Sequence, residues 1–387
     1  MPKLSVCIPV EPGQPAPVYL VNRLLEEPTS SIEVVLAACG EREGAWPYLE
    51  TRAATDPRLR ILPTAPANLS AAELWIGTLA GASGDWVSLV GPEDMIEPNL
   101  PKLVAHVEEK HPGVDALGWN AIVIDPQAPR SRSATVAVPI THNTVEFEKP
   151  RMLEAFFHWS GAQNTPRMPF NVYHGAIRRS LLDSILASCG PLSWLTPLPR
   201  WEWAARVLIF SQGLALSHRP FSAISAVPFH NVPVPSALEG FPFDARIGLT
   251  ATIAEIQARV LHELGSSWGG CNESFVKACA IDCMRDHDEA SFRRKGQAYF
   301  DAIRRLPDGA ALSEHFRPQF FAEPPADTRR GRQGAVLLVD RFIGNAQTAQ
   351  EFYEVMDGIL APVFVITDLV PVEETAGATG GSSPIHA

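Results

Sequence analysis

Apolar runs of strand length alternate with amphipathic stretches through the first quarter of the chain. "LSVCIPV" (4–10), "SIEVVLAAC" (31–39) and "DWVSLV" (85–90) are short and largely apolar, as expected of buried strands, and "PRLRILP" (57–63) reads as a further short strand. Between them, "VYLVNRLLEE" (18–27), "WPYLETRAAT" (46–55) and "SAAELWIGTLAGAS" (70–83) place apolar residues at helical intervals. Helices between buried strands imply right-handed crossovers, and so an α/β fold with a mainly parallel sheet flanked by helices.

Further along, "PNLPKLVAHVEEKHPG" (98–113) predicts a helix and "DALGWNAIVIDP" (115–126) a strand. "HGAIRRSLLDSIL" predicts a helix starting near Arg178, "RWEWAARVLIFSQG" (200–213) another helix, and residues 214–230 an extended stretch. From 236 to about 305 the pattern turns helical, and 316–334 reads as a linker. "AVLLVDRFIG", "TAQEFYEVMDGI" and "APVFVITDLV" then predict strand, helix, strand: a small βαβ unit. The expected division is 1–235 for the sheet domain, 236–330 for a helical region with its linker, 331–370 for the βαβ unit, and 371–387 for a polar tail.

Composition narrows the function. The 387 residues are 46% hydrophobic and 19% charged, with a net charge of -11. No basic stripe is present to neutralise phosphates, so a nucleic-acid partner is not expected. The 35 prolines gather in connecting segments such as "EPGQPAP" and "VPFHNVPVP". Six cysteines form no CxxC pair and no zinc pattern, which points to buried structural thiols. No apolar run approaches the ~20 residues that span a bilayer. The N-terminus lacks signal-peptide features. A cytoplasmic location is therefore expected, with peripheral membrane contact left open. No G-x-G-x-x-G or G-x-x-x-x-G-K-[ST] pattern follows a strand.

In open parallel sheets, ligands bind beyond the carboxyl ends of the strands. There "GDWVSLVGPEDMIEP" runs from an apolar strand into a turn carrying Glu93 and Asp94. Two adjacent carboxylates at such a place suit a divalent metal beside a phosphate, or equally an acidic first turn near a helix N-terminus.

Taken in order, several segments over residues 4–236 resemble the family 2 glycosyltransferases, whose fold is GT-A. "LSVCIPV" resembles that family's opening strand and "SSIEVVLAACG" its second strand. "ASGDWVSLVGPEDMIEPNL" is similar to its A-x-G-x-Y-I-x-F-L-D-x-D-D-x-L-x-P segment. "YHGAIRRSLLD" resembles the G-x-x-x-R-R-x-x-L segment. "RWEWAARVLIFSQGLALSHRPF" resembles the E-D-x-E-L-W-x-R helix with its following strand, and "VPFHNVPVPSA" the closing Y-R-x-H-x-x-S-x-S. The resemblance implies a nucleotide-sugar donor, a saccharide or polysaccharide-precursor acceptor, and Mg²⁺ or Mn²⁺ on the diphosphate. It places Glu93 and Asp94 at the metal and diphosphate, with His230 as a late metal or phosphate contact.

The chain departs from the pattern at several chemical positions. Gly91 stands where the first Asp of Asp-x-Asp belongs, and Ala37 and Ala38 replace the Asp pair after the second strand. The Glu-Asp of the helix falls on Pro199 and Arg200, leaving Glu202 as the nearest carboxylate to act as general base. Glu202 is equally placed for an i,i+4 ion pair with Arg206. The family's Asn before the fourth strand is absent, with Trp75 or Ile76 nearby. Arg178 is a candidate donor-phosphate contact, and Arg200 a cation for the diphosphate in place of metal. Trp194, Trp201 and Trp203 suit either a sugar-stacking wall or core packing. These departures leave open a catalytically inactive relative that binds a glycan, nucleotide or partner protein.

Overall fold

The computed structural model describes residues 3–26, 31–126, 134–160, 168–226, 234–323 and 327–368. Its strands in chain order are β1 (Leu4–Val10), β2 (Ile32–Ala38), β3 (Leu59–Ile61), β4 (Trp86–Leu89), β5 (Met95–Ile96), β6 (Ala116–Trp119), β7 (Ile122–Ile124), β8 (Thr135–Pro139), β9 (Thr144–Phe147), β10 (Gly175–Arg178), β11 (Leu214–Ser217), β12 (Ser222–Ser225), β13 (Gly331–Gln333) and β14 (Val336–Asp340). Along β1, alternate residues leave in opposite directions. Leu4, Val6, Ile8 and Val10 join one apolar cluster with Leu20, Leu103 and Val107, while Cys7 joins a second with Leu79, Leu182 and Leu208. Both faces are covered by helices, which is why the strand reads as apolar throughout.

The main sheet runs β3-β2-β1-β4-β10-β6-β11-β9. The first four strands of that row are mutually parallel. β10 lies antiparallel between β4 and β6, β11 parallel to β6, and β9 closes the edge antiparallel. The chain winds outward from β1 through β2 to β3, then returns to the other side of β1 with β4. The switch point of the sheet is therefore the β1/β4 boundary.

Several local expectations are corrected. The single strand expected over 115–126 is split: β6 belongs to the main sheet, and β7 to a second sheet of order β5-β12-β7. Gly175–Arg178 is a strand, and the helix begins one residue later as Arg179–Ala187. A side chain at Gly175 would meet the Asn171 carbonyl oxygen at 2.2 Å, so only glycine admits that approach.

The C-terminal segment is strand, helix, helix, not βαβ. β14 pairs antiparallel with β8 and is followed by helices Ala349–Asp357 and Val363–Asp368. The β-branched run at 363–367 favours a strand by local preference. Tertiary packing overrides that preference, because Val363 and Ile366, three apart on a helix, both enter the cluster that holds Leu4 and Leu103. Phe352, Tyr353 and Met356 enter it too, so this segment shares the core of the sheet. Helices Leu249–Glu263, Glu273–Cys283 and Glu289–Arg304 form their own cluster around Phe243, Phe275 and Tyr299. No described helix is long and apolar enough to cross a membrane.

Candidate ligand site at the carboxyl ends of the parallel strands

Immediately after β4 the chain turns sharply at Gly91-Pro92-Glu93-Asp94, closed by Asp94 N–H donating to the Gly91 carbonyl at 3.2 Å. Proline at the second position pre-sets such a turn. The two carboxylates then part company. Glu93 is exposed, with no hydrogen bond or ion pair among the described residues, whereas Asp94 is only 2% exposed. Asp94 Oδ2 accepts from Gly91 N–H at 2.6 Å, Tyr173 O–H at 3.0 Å and His174 Nε2 at 2.8 Å, and Oδ1 accepts from Ser225 N–H at 2.8 Å. A Cβ on Gly91 would lie 2.8 Å from Asp94 Oδ2. The glycine that breaks the Asp-x-Asp pattern thus makes room for Asp94 to fold back on its own turn.

His174 sits in the left-handed backbone region at φ 54°, sparsely populated for a residue with a Cβ. Its backbone N–H donates to the Leu89 carbonyl at the end of β4. Its Nδ1 is 2.8 Å from Ser222 Oγ, which accepts from Trp119 Nε1–H at 2.7 Å. A buried chain Trp119–Ser222–His174–Asp94 therefore joins β6, β12, β10's leading loop and the acidic turn. Burial alone would push the Asp94 carboxyl up. The His174 charge and hydrogen bond, with the Ser225 and Gly91 N–H groups, outweigh it and hold the group below its ordinary value.

Rings and one cation complete the site. Tyr173 stacks on Trp75 with centroids 5.1 Å apart. Burial, then the adjacent Asp94 charge, pushes the Tyr173 hydroxyl well above its usual range, with Arg200 acting in the opposite sense and Glu11 in the same sense. Glu11 directly follows β1, and burial raises its carboxyl. Arg200 lies in the first turn of helix Pro199–Phe210. Asn171 fixes it beside Tyr173: Asn171 Nδ2 donates to the Arg200 carbonyl at 2.6 Å, and Asn171 Oδ1 accepts from Tyr173 N–H at 3.0 Å. The half-buried Arg200 guanidinium has no hydrogen bond or ion pair among the described residues, and its Nε is buried without a partner.

The other expected residues lie elsewhere or are otherwise occupied. Glu202 is 0% exposed. Its Oε1 accepts from Trp194 N–H at 2.8 Å and from Arg206 Nη2 at 2.7 Å, and its Oε2 from Arg259 Nη2 at 3.0 Å. Both oxygens are engaged and shielded from water, so the expected general base is instead the hub of a buried ion network. Arg178 pairs with Glu108 at 3.2 Å, donates to the Val114 carbonyl and covers the Trp86 ring. Since Trp86 begins β4, Arg178 is at the opposite end of the sheet from Glu93 and cannot share its ligand. Trp203 is fully buried against Trp194, and Trp201 stacks on Phe156. They are core contacts. His230 lies outside the described residues.

Of the expected metal set, His230 lies outside the described residues, and the two carboxylates of the turn are placed differently. Asp94 already accepts four hydrogen bonds, Glu93 points away into solvent, and no group of three His, Cys, Asp or Glu side chains suited to a metal occurs among the described residues. Sequence reasoning passed over Glu11, Tyr173, His174 and Ser222. Glu11 could have been found from its position, since a carboxylate straight after the first parallel strand is where ligands bind.

The C-terminal segment supports this site from below. Gln350 Nε2 donates to the Asp94 carbonyl at 3.1 Å. Buried Arg219 donates to Glu97 at 3.1 Å, to Asp357 at 3.1 Å and to the Ala361 carbonyl at 2.7 Å.

No family profile and no curated protein matches the chain. Among solved structures, residues 1–349 of TarS from S. aureus in complex with UDP-GlcNAc align at 13% identity and a TM-score of 0.49, over 81% of this chain and 89% of that one. The same protein in complex with UDP gives 12% and 0.49 over the same shares. The mannosyltransferase PcManGT from Pyrobaculum calidifontis, in complex with GDP-Man and Mn²⁺, gives 14% and 0.37 over 80% of this chain and 74% of its own. At such identities and TM-scores, these likenesses assign neither a family nor an activity to the chain.

Proposed function

We propose that the chain is a glycosyltransferase of the family 2 type, GT-A-like in fold, that takes a sugar from a nucleotide-diphospho-sugar donor. The acceptor would be a hydroxyl of a saccharide or polysaccharide precursor. The observation that carries this reading is the β1/β4 switch point, bracketed by Glu11 after β1 and the Gly91–Asp94 turn after β4, with the Trp75–Tyr173 ring pair beside it. A crevice at a switch point is where open α/β sheets bind nucleotides. The segments that resemble the family form the same elements: "LSVCIPV" is β1, "SSIEVVLAACG" contains β2, and "GDWVSLVGPEDMIEP" contains β4 and its turn.

In this reading Asp94 shapes the turn, Glu93 presents an exposed carboxylate, and the rings offer a flat apolar face to a base or sugar. Glu202 does not deprotonate the acceptor. Glu11 and Glu93 are carboxylates that remain at this end, and a positioned one contributes about 10²–10⁴-fold to hydroxyl attack. A second reading, an inactive relative that binds the donor without turnover, is favoured by the engagement of Glu202 in a buried ion network and by Gly91 in place of the first Asp.

Thermal unfolding in the presence of a panel of nucleotide sugars tests both readings. A donor at about 100 times its Kd stabilises the folded state by ~2.7 kcal/mol. Stabilisation with release of nucleoside diphosphate onto saccharide acceptors supports the transferase. Stabilisation without turnover supports the binder, and no stabilisation by any donor rejects both.

A further inference from the structure

We propose that the donor's diphosphate is held by Arg200 and not by a divalent cation, an inference that rests on the donor-binding reading above. The acidic turn is poorly built for an ion. Asp94 would have to give up four donors to become a ligand, among them the backbone N–H groups of Gly91 in the turn and of Ser225 in β12. Each such loss leaves a buried donor unsatisfied, the costly half of the hydrogen-bond balance. That leaves Glu93 as the one free carboxylate of the turn, so an ion here would rest chiefly on diphosphate oxygens and water.

Arg200 presents the complementary situation. A half-buried guanidinium is ordinarily paired, because taking a charge from water without compensation is expensive. Other well-buried arginines of this chain spend their donors: Arg206 and Arg259 share Glu202, Arg219 takes Glu97 and Asp357, and Arg341 donates to the Asp125, Ala346 and Gln347 carbonyls. Arg200 has no such partner among the described residues, although Asn171 holds its backbone and Glu202 is two positions away. Its charge acts on the Tyr173 hydroxyl, which lies on Asp94 beside the switch point. A planar fork of unspent donors, 5.9 Å from the Trp201 ring centroid and acting by charge on Tyr173, suits a bidentate phosphate contact. The position agrees with this chemistry, since Arg200 stands where the resembled family carries an acid.

Isothermal titration of the full chain with UDP, GDP, ADP, CDP and dTDP, each in excess EDTA and in Mn²⁺, reads the claim directly. For the best-binding nucleotide, affinity in EDTA is expected to stay within about threefold of that in Mn²⁺, a difference under 1 kcal/mol. Arg200→Met should weaken binding at least about tenfold, the size of a charge-assisted hydrogen bond. Arg200→Lys should recover part of the loss, because it restores a point charge without the fork. Binding that requires Mn²⁺, or that Arg200→Met leaves unchanged, overturns the inference and leaves the donor reading standing. Absence of binding by every nucleotide in both buffers overturns both. The EDTA comparison uses the unmodified protein, so it decides even if Arg200→Met fails to fold.

Discussion

Glu202→Gln separates a structural from a catalytic carboxylate. Glu202 is fully buried between Arg206 and Arg259 and also accepts from the Trp194 N–H. Glutamine can keep the contacts at one oxygen, but its amide N–H₂ would then face the Arg259 N–H groups, donor against donor. Glu255 and Glu263 still neutralise part of the charge, at 3.1 Å from Arg259 and 2.6 Å from Arg206. Removing one member of a buried ion network costs about 3–5 kcal/mol. At roughly 2 °C per kcal/mol for a chain of this size, Tm should fall by ~6–10 °C. Circular dichroism follows that shift, and nucleotide titration well below Tm should show donor affinity unchanged. Arg259→Met should cost a similar amount, and the double variant less than the sum, since both break one network. A Glu202→Gln protein with native Tm and no transfer activity would refute this reasoning and restore Glu202 as the base.

Other outcomes follow from the same geometry. Asp94 is held below its ordinary value, so its ionised form stabilises the fold above the usual carboxylate range, and that contribution disappears as pH falls through its folded value. Tm against pH should therefore drop on the acid side, and Asp94→Asn should flatten that limb while lowering Tm at neutral pH. Thiol labelling of the native protein should modify exposed Cys189 first and Cys271 slowly, because burial pushes its thiol up to about 12. Buried Cys7, Cys39, Cys279 and Cys283 should react only on unfolding. Arg219→Met leaves Glu97 and Asp357 without their cation and should cost about 3 kcal/mol, with limited proteolysis releasing the segment after β14 before the sheet is cut.

Local periodicity carried most of the sheet. Strands buried on both faces, such as β1 and β2, and helices with apolar residues at helical intervals, such as Ala71–Ala80, announce themselves within a few residues. The Ser70–Glu73 capping box is present as an N-terminal signal of helix Ala71–Ala80. What the sequence hid depends on distant partners. β10 is a strand because β4 and β6 leave a gap for it, and residues 363–368 are helical because a core groove accepts Val363 and Ile366. The site divided in the same way. The place of Glu93 and Asp94 was legible, because a strand end followed by a Gly-Pro turn is a local pattern. Their opposite orientations were not, since Asp94 is drawn inward by Tyr173, His174 and Ser225 from segments 79 or more residues away. The spacing of Glu202 and Arg206 allowed an ion pair, yet only the packing of helix Leu249–Glu263 brought in Arg259 and took that pair out of water.

The central claim is that a nucleotide-sugar donor binds at the β1/β4 switch point. A crystal structure of the protein saturated with the donor that most raises its Tm tests this most directly. Donor density is expected beyond the carboxyl ends of β1 and β4, between Glu11 and the Gly91–Asp94 turn, with the diphosphate within hydrogen-bond reach of Arg200 and a ring of the Trp75–Tyr173 pair against base or sugar. Density for the donor at any other place on the molecule, or none at saturating concentration, would contradict it.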